Sequence, residues 1–238
     1  MTLERSAAEL VAAYEQGRRD FRHWRLAGAD LRDADLREAR LDDADLMGAA
    51  LSNANLQRAR FVRTNLAEAD LRGVNLHAAN LTAASLTRAN LRDADLSRAR
   101  LSGAKLEGAS LAGSRLADAY LPDVRLVEAN VQDADLTHVD LSGADLTQAD
   151  LERAILAEAN LREVDLTNAD LSEAQFTSAI LEDADLRDAD LTAALLVNAN
   201  LRGANLEGAI LQGVDASGAD FFGANLTGAD LRGTAWET

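Results

Sequence analysis

The side chains of this chain that could do chemistry are mostly carboxylates, and they recur in a fixed setting. Leu181–Leu191 reads Leu-Glu-Asp-Ala-Asp-Leu-Arg-Asp-Ala-Asp-Leu, two copies of an Ala-Asp-Leu-x-x unit. Paired carboxylates serve acid–base catalysis and hard-cation binding. Here the repeat supplies them along the whole chain, so no single pair stands out. Other reactive groups are scarce: there is no Cys, and the three His are His23, His77 and His138. The sequence holds neither a Gly-rich phosphate loop ending in Lys-Ser/Thr nor a local nucleophile motif. An enzyme is therefore not expected, and no catalytic, cofactor or metal site is assigned. What remains is electrostatics. The net charge is −16, from 40 acidic and 24 basic residues. A polyanion repels phosphate, so direct nucleic-acid binding is disfavoured and a basic protein is the expected partner.

The element that positions these carboxylates must have a period of five. From Phe21 to Trp236 every fifth residue is large and apolar with one small exception, 44 positions in one unbroken phase, and Leu fills 37 of them. Call that position i. Position i−2 is Ala at 34 of the 43 sites from Trp24 to Thr234. A five-residue step turns about 140° round an α-helix and leaves no apolar face. A continuous strand fails too, because its side-chain period is two and five is odd. The unit works as a short strand followed by a corner: i−2 and i point inward, i−1 points outward, and i+1 and i+2 turn the chain. Of 15 Gly, 14 sit at i+2, and the one Pro, Pro122, sits at i+1. Both residues suit a tight turn. Such a module repeated end to end makes a solenoid, in which each coil contacts only its neighbours.

Units such as Ala144-Asp145-Leu146-Thr147-Gln148 and Ala204-Asn205-Leu206-Glu207-Gly208 resemble the pentapeptide-repeat family, whose consensus is Ala-Asp/Asn-Leu-x-x. The resemblance covers about nine tenths of the chain. It implies an all-β solenoid, a right-handed quadrilateral β-helix with four repeats per coil, hence about 11 coils, with an N-terminal α-helical cap. Stacked at the interstrand spacing, 11 coils make a rod about 50 Å long. On that register His77 and His138 lie three coils apart, about 14 Å, too far to share a metal.

The expected organisation is a capping helix and entry segment at 1–20, then the repeat rod at 21–238. Ser6-Ala7-Ala8-Glu9 fits a capping box, and the apolar spacing predicts a helix from Ser6 to Gln16 closed by Gly17. Leu10, Val11 and Tyr14, with Trp24, are expected to cover the first coil. Residues 9–21 resemble the leader of cyanobacterial members of the family, including the heterocyst-regulating one. At the other end Phe221, Phe222 and Trp236 are the candidate cap, with Trp236 folded over Ala216. The alternative there is an end-to-end homodimer through the C-terminal coil, so the expected state is monomer or such a dimer. No apolar run approaches a membrane span, and Met1-Thr2-Leu3-Glu4-Arg5 lacks a signal-peptide pattern, so a cytoplasmic protein is expected.

Charge is uneven along the rod. Residues 121–238 carry 6 Arg against 23 acidic residues, a net of −17, and residues 1–120 carry +1. Four repeats per coil stack Asp145, Asp165 and Asp185 in one outward ladder, and Asp150, Asp170 and Asp190 in a second on the next face. The reading left open is between a solubilising surface and an anionic docking site. Ile155 and Leu195 on the following face, with Val197, Ile180 and Ile210 around them, form a candidate apolar patch. Arg40, Arg60, Arg63 and Arg100 share one face of the N-terminal half, diluted by Asp42 and Asp43.

The expected function is a non-catalytic rod that mediates protein–protein interaction through its acidic C-terminal half. The family resemblance implies an alternative, a DNA mimic that binds DNA gyrase or topoisomerase IV and modulates it or protects it from quinolone-type poisons. Members of that group carry loops that interrupt the coils, and none interrupts this repeat. A structural spacer, or a designed consensus-like solenoid, is the third reading.

Overall fold

The computed structural model describes residues 5–235. After a single helix, the described chain is one continuous β-helix. Parallel β-bridges join each i−1 residue to the one 20 positions later, from Asp20↔Arg40 to Asp215↔Ala235. Twenty residues are four repeats, so each coil has four faces. The architecture is the right-handed quadrilateral β-helix of pentapeptide-repeat proteins.

The repeat closes because each of its five backbone N–H groups has a destination. Four are met by the backbone, as the unit around Leu26 and Asp45 shows. The Leu26 N–H donates forward to Asp45 O of the next coil (2.7 Å), and the Gly28 N–H donates forward to Met47 O (2.8 Å). The Asp45 N–H donates backward to Trp24 O (2.9 Å), and the Ala29 N–H closes its own turn on Leu26 O (3.0 Å). The turn residue at i+2 has positive φ in every repeat from His23 to Gly233. A β-turn with φ above zero only at its third residue is type II, which explains why Gly gathers there.

Most i+2 positions are nonetheless not Gly. Ala78, Ala83 and Ala193 hold φ of 55°, 56° and 57° with no side-chain polar group to compensate. The left-handed region costs an L-residue about 1–2 kcal/mol, and Gly loses about 0.5–1 kcal/mol more chain entropy on folding. Each Ala→Gly change is thus expected to stabilise the rod by about 0.5–1 kcal/mol. Urea unfolding of the triple variant checks this; an unchanged or lower midpoint would show the turns to be unstrained.

The core is a filled column. Leu at i and Ala at i−2 are buried from Leu36 to Leu211, and Phe21, Phe61 and Phe176 fit in the same column with no exposure. Among the described residues three polar ones are also buried, Asp42, Thr64 and Ser114. Thr64 Oγ1 donates to Leu41 O at 2.7 Å and Ser114 Oγ donates to Leu111 O, so both hydroxyls are satisfied. Asp42 accepts from the Val62 N–H (3.1 Å) and pairs with Arg60 (3.3 Å).

Helix α1 spans Ala7–Glu15 and starts on the expected capping box. The Glu9 N–H donates to Ser6 Oγ (3.1 Å), and the Ser6 N–H donates to Glu9 Oε2 (2.9 Å). Gly17, with φ of 91°, follows the C-cap Gln16. Leu10 is fully buried, and Val11, Tyr14 and Trp24 are partly buried against the same core. The Tyr14 hydroxyl donates to Arg37 O (2.9 Å), fixing the helix to the rod. Trp24 meets Phe21 edge-on at 5.0 Å. Arg19 stacks on the Tyr14 ring and donates to Tyr14 O, placing a cation on the last helical carbonyls, where the helix dipole favours it.

The other end is more open. Phe221 is partly buried against the core, whereas Phe222 is 71% exposed and Leu231 38%. Arg202 stacks on the Phe222 ring at 4.6 Å. The expected Trp236 lid lies outside the described residues.

Candidate interaction surface

Outward side chains at i−1 have a task that spacing does not reveal. The remaining backbone N–H of each repeat, at i+1, is directed at the i−1 side chain. Wherever i−1 is Asp or Asn, its Oδ1 accepts that N–H, as in Asp145 from Thr147 (3.2 Å), Asp165 from Thr167 (2.9 Å) and Asn205 from Glu207 (3.2 Å). Asp and Asn are the side chains short enough to reach two residues ahead in this way. The i−1 preference for Asp or Asn is therefore structural before it is electrostatic, and either residue meets the structural need.

All six ladder aspartates make this bond. Asp150 accepts from the Glu152 N–H, Asp170 from Ser172, Asp185 from Arg187 and Asp190 from Thr192, at 2.9–3.2 Å. The hydroxyls of Thr147, Ser172 and Thr192 donate to the same oxygens. The register is as expected: Asp145, Asp165 and Asp185 are bridged in one column, and Asp150, Asp170 and Asp190 in the next. These columns are called the first and second faces. Asn205 continues the first, and Ile210 stands above Asp190 on the second.

Neutralisation varies along the rod: Asp45, Asp135, Asp140 and Asp215 make the same turn bond and form no ion pair among the described residues, whereas other i−1 aspartates are clamped. At several sites an Arg at i+1 clamps the preceding Asp: Arg32 on Asp30 (2.6 Å), Arg37 on Asp35 (2.7 Å), Arg72 on Asp70 (2.7 Å) and, near the C-terminal end, Arg232 on Asp230 (2.6 Å). These side-chain bonds hold the Asp30 carboxyl down at about 2, and push those of Asp35 and Asp70 below the ordinary carboxylate range. In the ladder only Asp185 is clamped, by Arg187 at 2.6 Å, which lowers its carboxyl in the same way. The other five form no ion pair among the described residues. Each uses Oδ1 on its turn, leaving a second oxygen with negative charge for an incoming donor.

The apolar candidates are spread over three faces. Ile155 and Leu195 lie on the third face with Gln175 between them, Ile180 lies on the fourth between Asn160 and Asn200, and Ile210 is on the second. Val197 sits on the corner after Leu196, between the third and fourth faces. Leu195 is 39% exposed, and the four others are half-buried. Ile180 and Ile210 are thus on opposite sides of the rod, each on a face adjoining the third, as the register implies.

Among the described residues no group of three or more His, Asp or Glu could hold a metal ion. His138 lies between Asp118 (3.3 Å) and Glu158 (3.4 Å) in one corner column, a surface chain of ionisable groups. Among the described residues no helix is long and apolar enough to cross a membrane.

Comparisons with known proteins agree with this geometry. The pentapeptide-repeats family model matches overlapping segments that run from residue 20 to residue 234. HetL, a pentapeptide repeat protein involved in heterocyst differentiation regulation in the cyanobacterium Nostoc sp. strain PCC 7120, is 34% identical over 97% of both chains, with a TM-score of 0.65. A pentapeptide repeat protein of the Arabidopsis thaliana thylakoid lumen is 40% identical over 42% of this chain and 67% of its own, with a TM-score of 0.35. Full-length QnrB1, a plasmid-mediated fluoroquinolone resistance protein, is 15% identical over 92% of this chain and 94% of its own, with a TM-score of 0.41. A comparison with curated proteins finds no significant match. The unbroken five-residue phase, the 20-residue coil and the family match agree: the chain belongs to the pentapeptide-repeat family.

Proposed function

We propose that the protein is a non-catalytic cytoplasmic rod that docks a basic protein on the adjoining first and second faces between Asp145 and Asp190. The observation that carries this reading is the loss of neutralisation. The same turn chemistry is clamped by Arg at Asp30, Asp35 and Asp70, and left without an ion pair at Asp145, Asp150, Asp165, Asp170 and Asp190. Parallel bridges hold like charges directly above one another there, an arrangement unfavourable by some tenths of a kcal/mol per pair. Asn would satisfy the turn without that repulsion, as it does at Asn200, Asn205 and Asn225. Retained Asp is thus best explained by its charge.

The charge can be removed with the fold kept. Proteins retained from a cell extract are compared between the parent rod and an Asp145→Asn/Asp165→Asn/Asp185→Asn variant. The reading expects the specific partner to be lost from the variant; equal recovery would sink it. A second reading, a mimic of duplex DNA acting on DNA gyrase or topoisomerase IV, is favoured by the net of −17 over residues 121–238. A supercoiling assay with added protein, repeated with a quinolone in a cleavage assay, tests it. No effect at micromolar protein removes that candidate and leaves other basic partners.

A further inference from the structure

The fourth face changes sign along its length. Bridges run through it in the order Asp20, Arg40, Arg60, Asn80, Arg100, Tyr120, Asp140, Asn160, Ile180, Asn200 and Asp220. Its N-terminal half carries exposed Arg at Arg40, Arg60 and Arg100 and at corner positions Arg58, Arg63 and Arg98, of which Arg60, Arg63 and Arg98 pair with Asp42, Asp43 and Asp118. Arg40, Arg58 and Arg100 form no ion pair among the described residues. Its C-terminal half carries Asp140, Asp220 and the corner carboxylates Glu158, Glu163 and Glu182. Tyr120 stands at the changeover, 43% exposed, with Arg100 stacked 5.7 Å from its ring. Beside it is a surface hollow of about 360 Å³ lined by Pro122, Asp123, Ser142, Gly143, Asn160, Arg162 and Glu163.

We infer that the fourth face pairs with the fourth face of a second copy, antiparallel, about a two-fold axis between the coils of Tyr120 and Asp140. A face that runs from positive to negative is complementary to itself when reversed, as a two-fold interface requires. The rotation keeps each corner column opposite the same column of the partner. It then sets Arg98 opposite Glu158, Asp118 opposite His138 and Arg40 opposite Asp220, so that the pairs Arg98–Asp118, His138–Glu158 and Arg202–Asp220 within each chain are shared across the axis. Each Tyr120 faces the Asp140 coil of the other copy, beside its hollow. Aromatic anchors set into a recess are the usual centres of such contacts. One face of a rod this long offers roughly 600 Å² per partner, at the low end for specific pairs, so the dimer is weak and salt-sensitive. The second face, opposite the fourth, stays open.

Light scattering from 10 to 200 µM protein in 50 mM salt is expected to show a dimer that dissociates in 500 mM salt. The chain has no Cys, so single Cys variants report position cleanly. Ala117→Cys, a small corner position in the coil of Tyr120 that leaves the ring in place, is expected to cross-link across the axis with a bismaleimide spanning about 10 Å, the distance between facing sheets. Ser110→Cys, on the opposite face, is expected not to cross-link. Arg98→Glu and Glu158→Arg should each weaken dimerisation at least tenfold, and the double variant should restore it; both residues are exposed corner positions, and melting curves check that the fold is kept. A monomer at 200 µM in low salt overturns the inference. So does a dimer that ignores both reversals, or one that Ala117→Cys fails to link, since either would place the contact elsewhere, as at the C-terminal coil.

Discussion

A chain lacking residues 141–160 folds into a rod one coil shorter, whereas a chain lacking Leu151 alone breaks into two poorly coupled halves. Both results follow from the spacing of 20 between bridged residues. Removing 141–160 joins Asp140 to Leu161, an i−1 residue to an i residue, and every column above the cut meets the same column below. The loss is one coil and its share of stacking. Removing Leu151 leaves one face with four residues. The buried Leu is gone, at about 2–5 kcal/mol, and forward and backward N–H groups of that repeat lose partners at about 1–3 kcal/mol each. Since coils contact only their neighbours, the damage stays at the junction, and the two halves should melt in separate transitions. Calorimetry distinguishes the outcomes. A single transition near the parent midpoint in the Leu151 deletion would show that the coil tolerates slippage. Removing residues 141–145 gives a sharper result: the phase of five survives, so the rod folds, but every later face is turned by a quarter. The acidic ladders then stand over the wrong N-terminal columns, and any activity that needs one particular face is lost from a stable protein.

Asp145→Ala/Asp165→Ala/Asp185→Ala is expected to destabilise the rod by about 3 kcal/mol, while the corresponding Asn variant matches or exceeds the parent. Ala abandons three turn N–H groups that now bond to Oδ1; the net worth of such a bond is about 1 kcal/mol. Asn keeps the acceptor and removes the stacked like charges, at the cost of the Arg187 clamp on Asp185, a surface pair worth little. Urea unfolding of the three proteins measures the difference. Coincident midpoints for the Ala and Asn variants would mean that the side-chain bond to the turn contributes nothing.

Much of the fold was legible because the core is written in two residues. Leu at i and Ala at i−2 identify the inward positions, Gly at i+2 marks the corner, and Ser6 with Glu9 marks the helix start. Four repeats per coil was not legible from periodicity, since a period of five is compatible with other polygons. The family resemblance supplied that number, and the bridge register now shows it. The purpose of Asp and Asn at i−1 was hidden for another reason. Periodicity tells which positions face outward, not which backbone group an outward side chain turns back to meet. The clue was present in units such as Asp-Leu-Thr and Asp-Leu-Ser, where the residue two places on can add a hydroxyl to the same acceptor, as Thr147 and Ser172 do. The scatter of Ile155, Ile180, Leu195 and Ile210 over three faces follows directly from the 20-residue coil. Side chains near in number can look in opposite directions when each repeat turns a corner.

The hydrogen bonds between coils are unequal in direction, and this gives the rod an electrical sense of its own. In each repeat two N–H groups, at i and i+2, point toward the following coil, and one, at i−1, points back. Peptide dipoles in an ordinary sheet largely cancel. Here one unit per repeat is left over, four per coil, all with the positive pole toward the C-terminus. The sense is opposite to that of an α-helix, whose positive pole is N-terminal. Carboxylates gathered in residues 121–238 therefore sit toward the end where backbone polarity favours anions, and two rods lying antiparallel would cancel each other's field.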